Sequence, residues 1–190
     1  PLVDVQTRQV VSGKTYIYPA LVEMEDPGPQ DPFLLPTRRP SDLMWFNARA
    51  VALQRTKLAG QVLYSTPGEY FFQDGATGFR VLTTNASLTA GDLAEAVGFP
   101  NLDGPAPVLQ AAQIRKTGRT AFPKPAPISP EALLDRDLDS TLIEIKAQLI
   151  SDTIHEDERV LELQSGPQHF MARLEAVPAT FAPLPAGSRL

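Results

Sequence analysis

The chain has 190 residues, 43% of them hydrophobic, with 19 prolines, 12 glycines and no cysteine. That length holds one large domain or two small ones, and the absence of cysteine excludes disulfides, thiolate metal sites and cysteine nucleophiles. A formal net charge of -5 argues against a general nucleic-acid binder, which needs a basic surface to neutralise phosphates.

No apolar run approaches the ~20 residues that span a bilayer, and no charged start followed by an apolar stretch opens the chain. It begins at Pro1 without Met and stops at Arg189-Leu190, so it reads as a piece of something longer. Val10-Val11, a Ser12-Gly13-Lys14 turn, Thr15–Tyr18 and Ala20–Met24 predict a hairpin or two successive strands. Glu25–Pro32 carries three prolines and a glycine, and Pro36–Pro40 continues it, so residues 27–40 read as a linker. Ser41 is placed to cap a short helix over Asp42–Phe46, with Trp45-Phe46 as a plug for a barrel end or a packing surface between units.

Five short β-rich runs follow, each stopped by Gly, Pro or Asp: Thr56–Tyr64, Glu69–Gln73, Gly78–Thr83, Leu93–Phe99 and Val108–Lys116. Along the first, Leu58, Val62 and Tyr64 fall on one side. Five strands is the count of a small barrel of the oligonucleotide/oligosaccharide-binding (OB) type, which gives a complete unit over residues 41–118. A second proline-rich linker occupies 119–130, and Ser129–Leu134 reads as a capped helical turn with Pro130 at its first position.

Several motifs recur in the same order about 90 residues downstream. Ser41-Asp-Leu43 resembles Ser129–Leu133, and Lys57–Leu63 resembles Glu144–Ile150 on a shared glutamine, Gln61 and Gln148. Gln73-Asp-Gly75 resembles Gln164-Ser-Gly166, Phe79–Leu82 resembles Phe170–Leu174, and Leu88–Asp92 resembles Leu184–Ser188. The expectation is a mainly β chain of tandem five-stranded OB-like barrels joined by short helical turns. Residues 131–190 form a second unit cut before its fourth strand, and residues 1–26 supply the last strands of a preceding one.

The stretches Asp31–Pro36 with Ser41–Leu43, Lys57–Val62, Phe72–Phe79 and Gly91–Pro100 resemble the N-terminal region of bacterial sensor histidine kinases of two-component systems. There, tandem OB-like units precede a membrane segment and the kinase core. The resemblance implies a non-catalytic sensory module, extracytoplasmic, that binds a small ligand or a partner domain and works with a kinase core outside this sequence. The alternative is an OB module for single-stranded nucleic acid or oligosaccharide, of which the acidic charge disfavours the nucleic acid.

Residues for catalysis or metal binding do not assemble in the sequence. His155 and His169 read as turn residues, and Asp135–Asp139 departs from a calcium loop at Ser140 and Lys146. No cofactor is implied. If the first three strands form the usual OB face, Tyr64, Tyr70 and Phe72 are the stacking platforms, with Arg80 and Lys57 as charged neighbours. Against that stands a barrel filled by Phe72 and Phe79, and a simple cross-strand pairing of Tyr64 with Tyr70.

Overall fold

The computed structural model describes residues 2–3, 10–12, 29–45, 54–84, 87–155, 158–175 and 183–190. Two compact units divide the chain, Pro1–Gln30 and Asp31–Leu190. In the first, β1 (Leu2–Val3) and β2 (Val10–Ser12) pair antiparallel across a bulge. The strands expected over Thr15–Tyr18 and Ala20–Met24 lie outside the described residues.

The second unit opens with a 3-10 turn at Pro32–Leu34, where the Asp31 carboxylate accepts from the Phe33 amide. A short strand, β3 (Thr37–Arg38), and the helix α1 (Pro40–Trp45) follow. Pro40, rather than Ser41, opens the helix: it has no N–H to leave unsatisfied in the first turn and its φ is preset for a helix. The barrel strands are β4 (Thr56–Thr66), β5 (Glu69–Asp74), β6 (Thr77–Leu82), β7 (Asp92–Asn101) and β8 (Val108–Arg119). All five overlap the runs read from the sequence: four are extended, and β6 starts and ends one residue earlier than expected.

β4, β5 and β6 form an antiparallel meander. β6 then pairs in parallel with β8, β8 pairs with β7, and β7 returns to β4. The order β4-β5-β6-β8-β7 closing on β4 is a five-stranded Greek-key barrel, and closure leaves no edge among these strands. Period-two alternation places Val62, Phe72, Phe79, Val81, Ala94, Ala96 and Leu109 inside. Phe72 and Phe79 stack at 5.1 Å in the centre. One end is plugged by Leu43 from α1, which joins the same core. Phe46, half of the expected Trp45-Phe46 plug, lies outside the described residues.

Tight approaches need glycine at two places. A Cβ on Gly60 would stand 2.8 Å from the Gln73 carbonyl oxygen and 3.1 Å from the Phe79 ring. Gly91 has φ 93, which L-residues rarely adopt, and starts the turn into β7.

Beyond the barrel, β9 (Ala126–Pro127) pairs in parallel with β10 (Ile143–Glu144), and 3-10 turns span Pro130–Leu134 and Arg136–Leu138. A second antiparallel meander comprises β11 (Gln148–His155), β12 (Glu158–Ser165) and β13 (Gln168–Glu175). It carries its own core of Ala147, Leu149, Leu161 and Leu163, backed by Phe170, Ala172, Leu174 and Leu184. At Ser129 the helical turn has no side-chain cap, contrary to the sequence expectation.

The two meanders share register. Gln61 faces Gln73, Val62 faces Phe72, and a bulge precedes the pair Tyr64–Phe71. Gln148 faces Gln164, Leu149 faces Leu163, and a bulge precedes the pair Ser151–Glu162. The third strands follow suit, with Phe72 opposite Phe79 and Leu163 opposite Phe170.

Burial of Leu43 predicts the cost of removing the plug. Leu43→Ala should destabilise the protein by about 2–5 kcal/mol in urea unfolding. The neighbouring exposed Met44→Ala should stay within about 0.5 kcal/mol. Equal effects for the two would show that the helix does not seal the barrel.

Candidate ligand face

The outer surface of β4, β5 and β6 is where barrels of this kind present ligands. One lateral row crosses all three strands there: Tyr64 faces Phe71, and Phe71 faces Arg80. Tyr64 is 45% exposed and its ring lies 5.8 Å from that of Phe71. Arg80 Nη1 donates to Glu69 Oε1 at 3.1 Å, so the cation is oriented by a carboxylate on the adjacent strand. Arg80 Nε is buried and has no hydrogen-bond acceptor among the described residues.

The row revises the sequence-derived set. Tyr64, Phe71 and Arg80 come together. Tyr70 and Phe72 point the other way, into the core, with Phe72 fully buried, and offer no stacking surface. Tyr64 pairs with Phe71 rather than with Tyr70, which faces Ser65. The cause is the bulge between Val62 and Tyr64: one extra residue reverses the alternation, so Tyr64 leaves the side on which Leu58 and Val62 lie. Phe71, between Tyr70 and Phe72, is the aromatic of β5 that faces outward.

Lys57 is equally displaced from a ligand role. Its Nζ donates to the Phe33 carbonyl at 2.8 Å and lies 3.5 Å from Glu95. Arg115 sits over the Phe33 ring at 4.4 Å and pairs with Glu95 at 2.7 Å. Together they clamp the 3-10 turn Pro32–Leu34 against β4, β7 and β8. Residues 31–40, expected to be a plain linker, are therefore part of the barrel's wall, with β3 running parallel to β4.

Along β4 and β5, one step from the aromatic row, the face continues into an open groove of about 610 Å3. Its floor is Ala59 and Gly60, and Arg38, Arg39, Gln61, Gln73 and Thr117 stand around it. With the Asp74 carboxylate also on the rim, the small residues and mixed charged and amide groups suit a polar ring.

The groove's end is held by electrostatics. Asp92 is 1% exposed and accepts from Lys116 Nζ at 2.7 Å, Arg119 Nη1 at 2.9 Å and the Thr89 amide at 3.0 Å. Those partners, the Lys116 ammonium first and then the Thr89 amide, bring its pKa down to about 2. In the second meander Asp152 plays a like part. It pairs with the buried Arg159 through both carboxylate oxygens, accepts from the Leu184 amide at 2.9 Å, and also has its pKa lowered to about 2.

His155 ends β11 and His169 lies near the start of β13, opposite Gln164. Asp135, Asp137 and Asp139 surround the 3-10 turn Arg136–Leu138, where Asp135 accepts from the Asp137 amide. Neither set forms part of the face.

A closed five-stranded β-barrel, consistent with an OB-like fold and carrying an aromatic and cationic outer row, is thus the class that fold and surface define. The sequence matches no protein-family model and no curated protein.

The two depressed carboxyl groups set an acid response. A carboxylate that binds its proton more weakly when folded stabilises fully above its ordinary pKa of 3.8 and loses that stabilisation as pH falls towards about 2. Urea midpoints should therefore drop across this window. Asp92→Asn should lower the midpoint at neutral pH and make the acid drop shallower; an unchanged acid profile would remove Asp92 from the account.

Proposed function

We propose that the chain is a non-catalytic binding module that takes a small ligand or a partner on the outer face of β4, β5 and β6. The row Tyr64–Phe71–Arg80 carries this reading. Aromatic rings kept half in water and aligned across strands give flat contact area, and Arg80 adds a directed donor for a polar substituent. An oligosaccharide fits this chemistry, since sugar rings offer an apolar face for stacking and hydroxyls for the groove. The same face would take a single strand of nucleic acid, a reading favoured by Arg38 and Arg39 around the groove and opposed by the net charge of -5.

The reading extends to tandem units. The shared register and bulge of the two meanders support a second copy of the barrel design over residues 131–190. The resemblance to the sensory region of sensor histidine kinases supports placing such units in a two-component receptor, outside the cytoplasm, with a kinase core elsewhere in the protein. Flanking sequence encoding a membrane span and kinase core would agree with this; a nuclease or helicase core would overturn it.

The binding reading is tested by titrating the protein with cellohexaose and with oligo-thymidine at low salt, following amide shifts of β4–β6. Each stacking platform contributes about 1–3 kcal/mol, so Tyr64→Ala or Phe71→Ala should weaken binding about 5- to 150-fold with the fold intact. Shifts confined to other surfaces, or affinity indifferent to both variants, would refute the face. Affinity for oligo-thymidine falling steeply with salt would select the nucleic-acid reading.

A further inference from the structure

On β6, Gly78 shares the outward side with Arg80, two residues away, yet Gly78 is buried. An outward position is buried only when something lies on it. The cover is the chain's own connector: a Cβ on Gly78 would overlap the Ser140 carbonyl and stand 2.7 Å from the Asp139 oxygen. Next to it, the Leu142 amide donates to Gln73 Oε1 at 3.0 Å. Ser140 holds φ 61, a left-handed conformation that costs a non-glycine residue energy and that this seat defines. Behind it, Thr141 Oγ1 donates to the Leu138 carbonyl at 2.6 Å and the Leu138 amide to Asp135 O at 3.3 Å, which makes the segment a compact turn.

We infer that Arg136–Leu142 is a displaceable strap seated on one end of the ligand face, so that a ligand or partner covering Phe71 and Arg80 competes with it for Gln73 and Gly78. The inference rests on the proposed ligand face for its meaning, though its geometry stands apart from it. Gln73 lies two residues after Phe71 and Gly78 two residues before Arg80, the next outward pair along the antiparallel strands, a step of about 7 Å. One ring stacked on Phe71 leaves the strap in place, and anything longer in that direction meets it. The seat is also weak by construction. A backbone contact at a glycine and one side-chain hydrogen bond are worth far less than the ladders on either side. Lifting the strap frees the segment that leads into β10 and β11, so occupancy of the face becomes a change in how the second meander is held.

Amide hydrogen exchange of the whole chain tests this at Leu142. A displaceable strap gives Leu142 protection of at least about tenfold over an unstructured amide, yet exchange well before the core amides of β5 and β6. Gly78→Val should abolish that protection while the β5 and β6 amides keep theirs. Gln73→Met, which removes the acceptor without adding bulk, should do the same even if the valine disturbs the barrel. Tyr64→Ala should leave Leu142 unchanged, so loss of ligand binding and loss of the strap are read separately. No protection at Leu142 in the native chain would overturn the seat. Exchange of Leu142 only together with the barrel core would overturn its displacement, and unchanged protection in both variants would overturn the role of Gly78 and Gln73.

Discussion

The Gly91 amide donates to the Val62 carbonyl at 2.8 Å, and the barrel depends on what surrounds that bond. Up to Leu82 the chain is an open meander whose first and third strands have exposed edges. Gly91, at positive φ, turns the chain so that Asp92 can begin the strand that returns to β4. Asp92 then draws Lys116 and Arg119 of β8 to the same point, and Arg119 also donates to the Ala90 carbonyl at 3.1 Å. Gln61 completes the junction by donating to Ala121 O at 3.0 Å. Thus β4, β7 and β8 meet around one turn. The curvature that sets Tyr64, Phe71 and Arg80 side by side follows from this closure.

The same turn recurs in the second meander with its electrostatics moved. Gly187, also at positive φ, donates to the Leu149 carbonyl at 2.8 Å, and the Gln148 side chain reaches the Gly187 carbonyl as Gln61 reaches that of Gly91. The amides of Asp92 and Ser188 donate to the carbonyls three residues before them. Ser188 stands where Asp92 does, however, and cannot gather two cations. The anchoring carboxylate is instead Asp152, on the first strand, which holds the Leu184 amide and the buried Arg159. A buried arginine is tolerated there because its charge is matched in a bidentate pair and the carboxylate's remaining capacity is used by backbone. Two side-chain solutions hold the Leu-x-Ala-Gly turn against its first strand, and the backbone hydrogen bonds stay the same while the side chains change. The motif Leu-x-Ala-Gly is thus shared by the two turns while the side chains around them differ.

What was legible in the sequence is what local chemistry dictates. Each barrel strand is bounded by a turn residue whose backbone preference needs no tertiary help, such as Gly68 and Gly75 at positive φ, so the five runs were placed closely. The competing reading, a barrel filled by Phe72 and Phe79, is the one the core bears out. The face failed at the bulge after Val62, because an inserted residue leaves no mark in composition and flips every later position on β4. Phe71 was overlooked between two aromatics that belong to the core. Lys57 failed for another reason: its partner, the Phe33 carbonyl, lies in a proline-rich stretch that composition assigns to a linker.

Both proline-rich stretches carry a general lesson about spacers. Proline fixes φ and removes a donor, which predicts an extended, stiff segment but says nothing about whether it is docked. Here the first stretch pairs β3 in parallel with the start of β4 and is clamped by Lys57 and Arg115. The second pairs in parallel with β10, Ala126 with Ile143 and Pro127 with Glu144. A stiff segment loses little conformational entropy on docking, so few contacts suffice to seat it. Stiffness therefore favours attachment to the barrel as much as separation from it. The segment that follows, Arg136–Leu142, carries no proline, and its bond from the Leu142 amide to Gln73 shows how few contacts seat a short connector on the barrel.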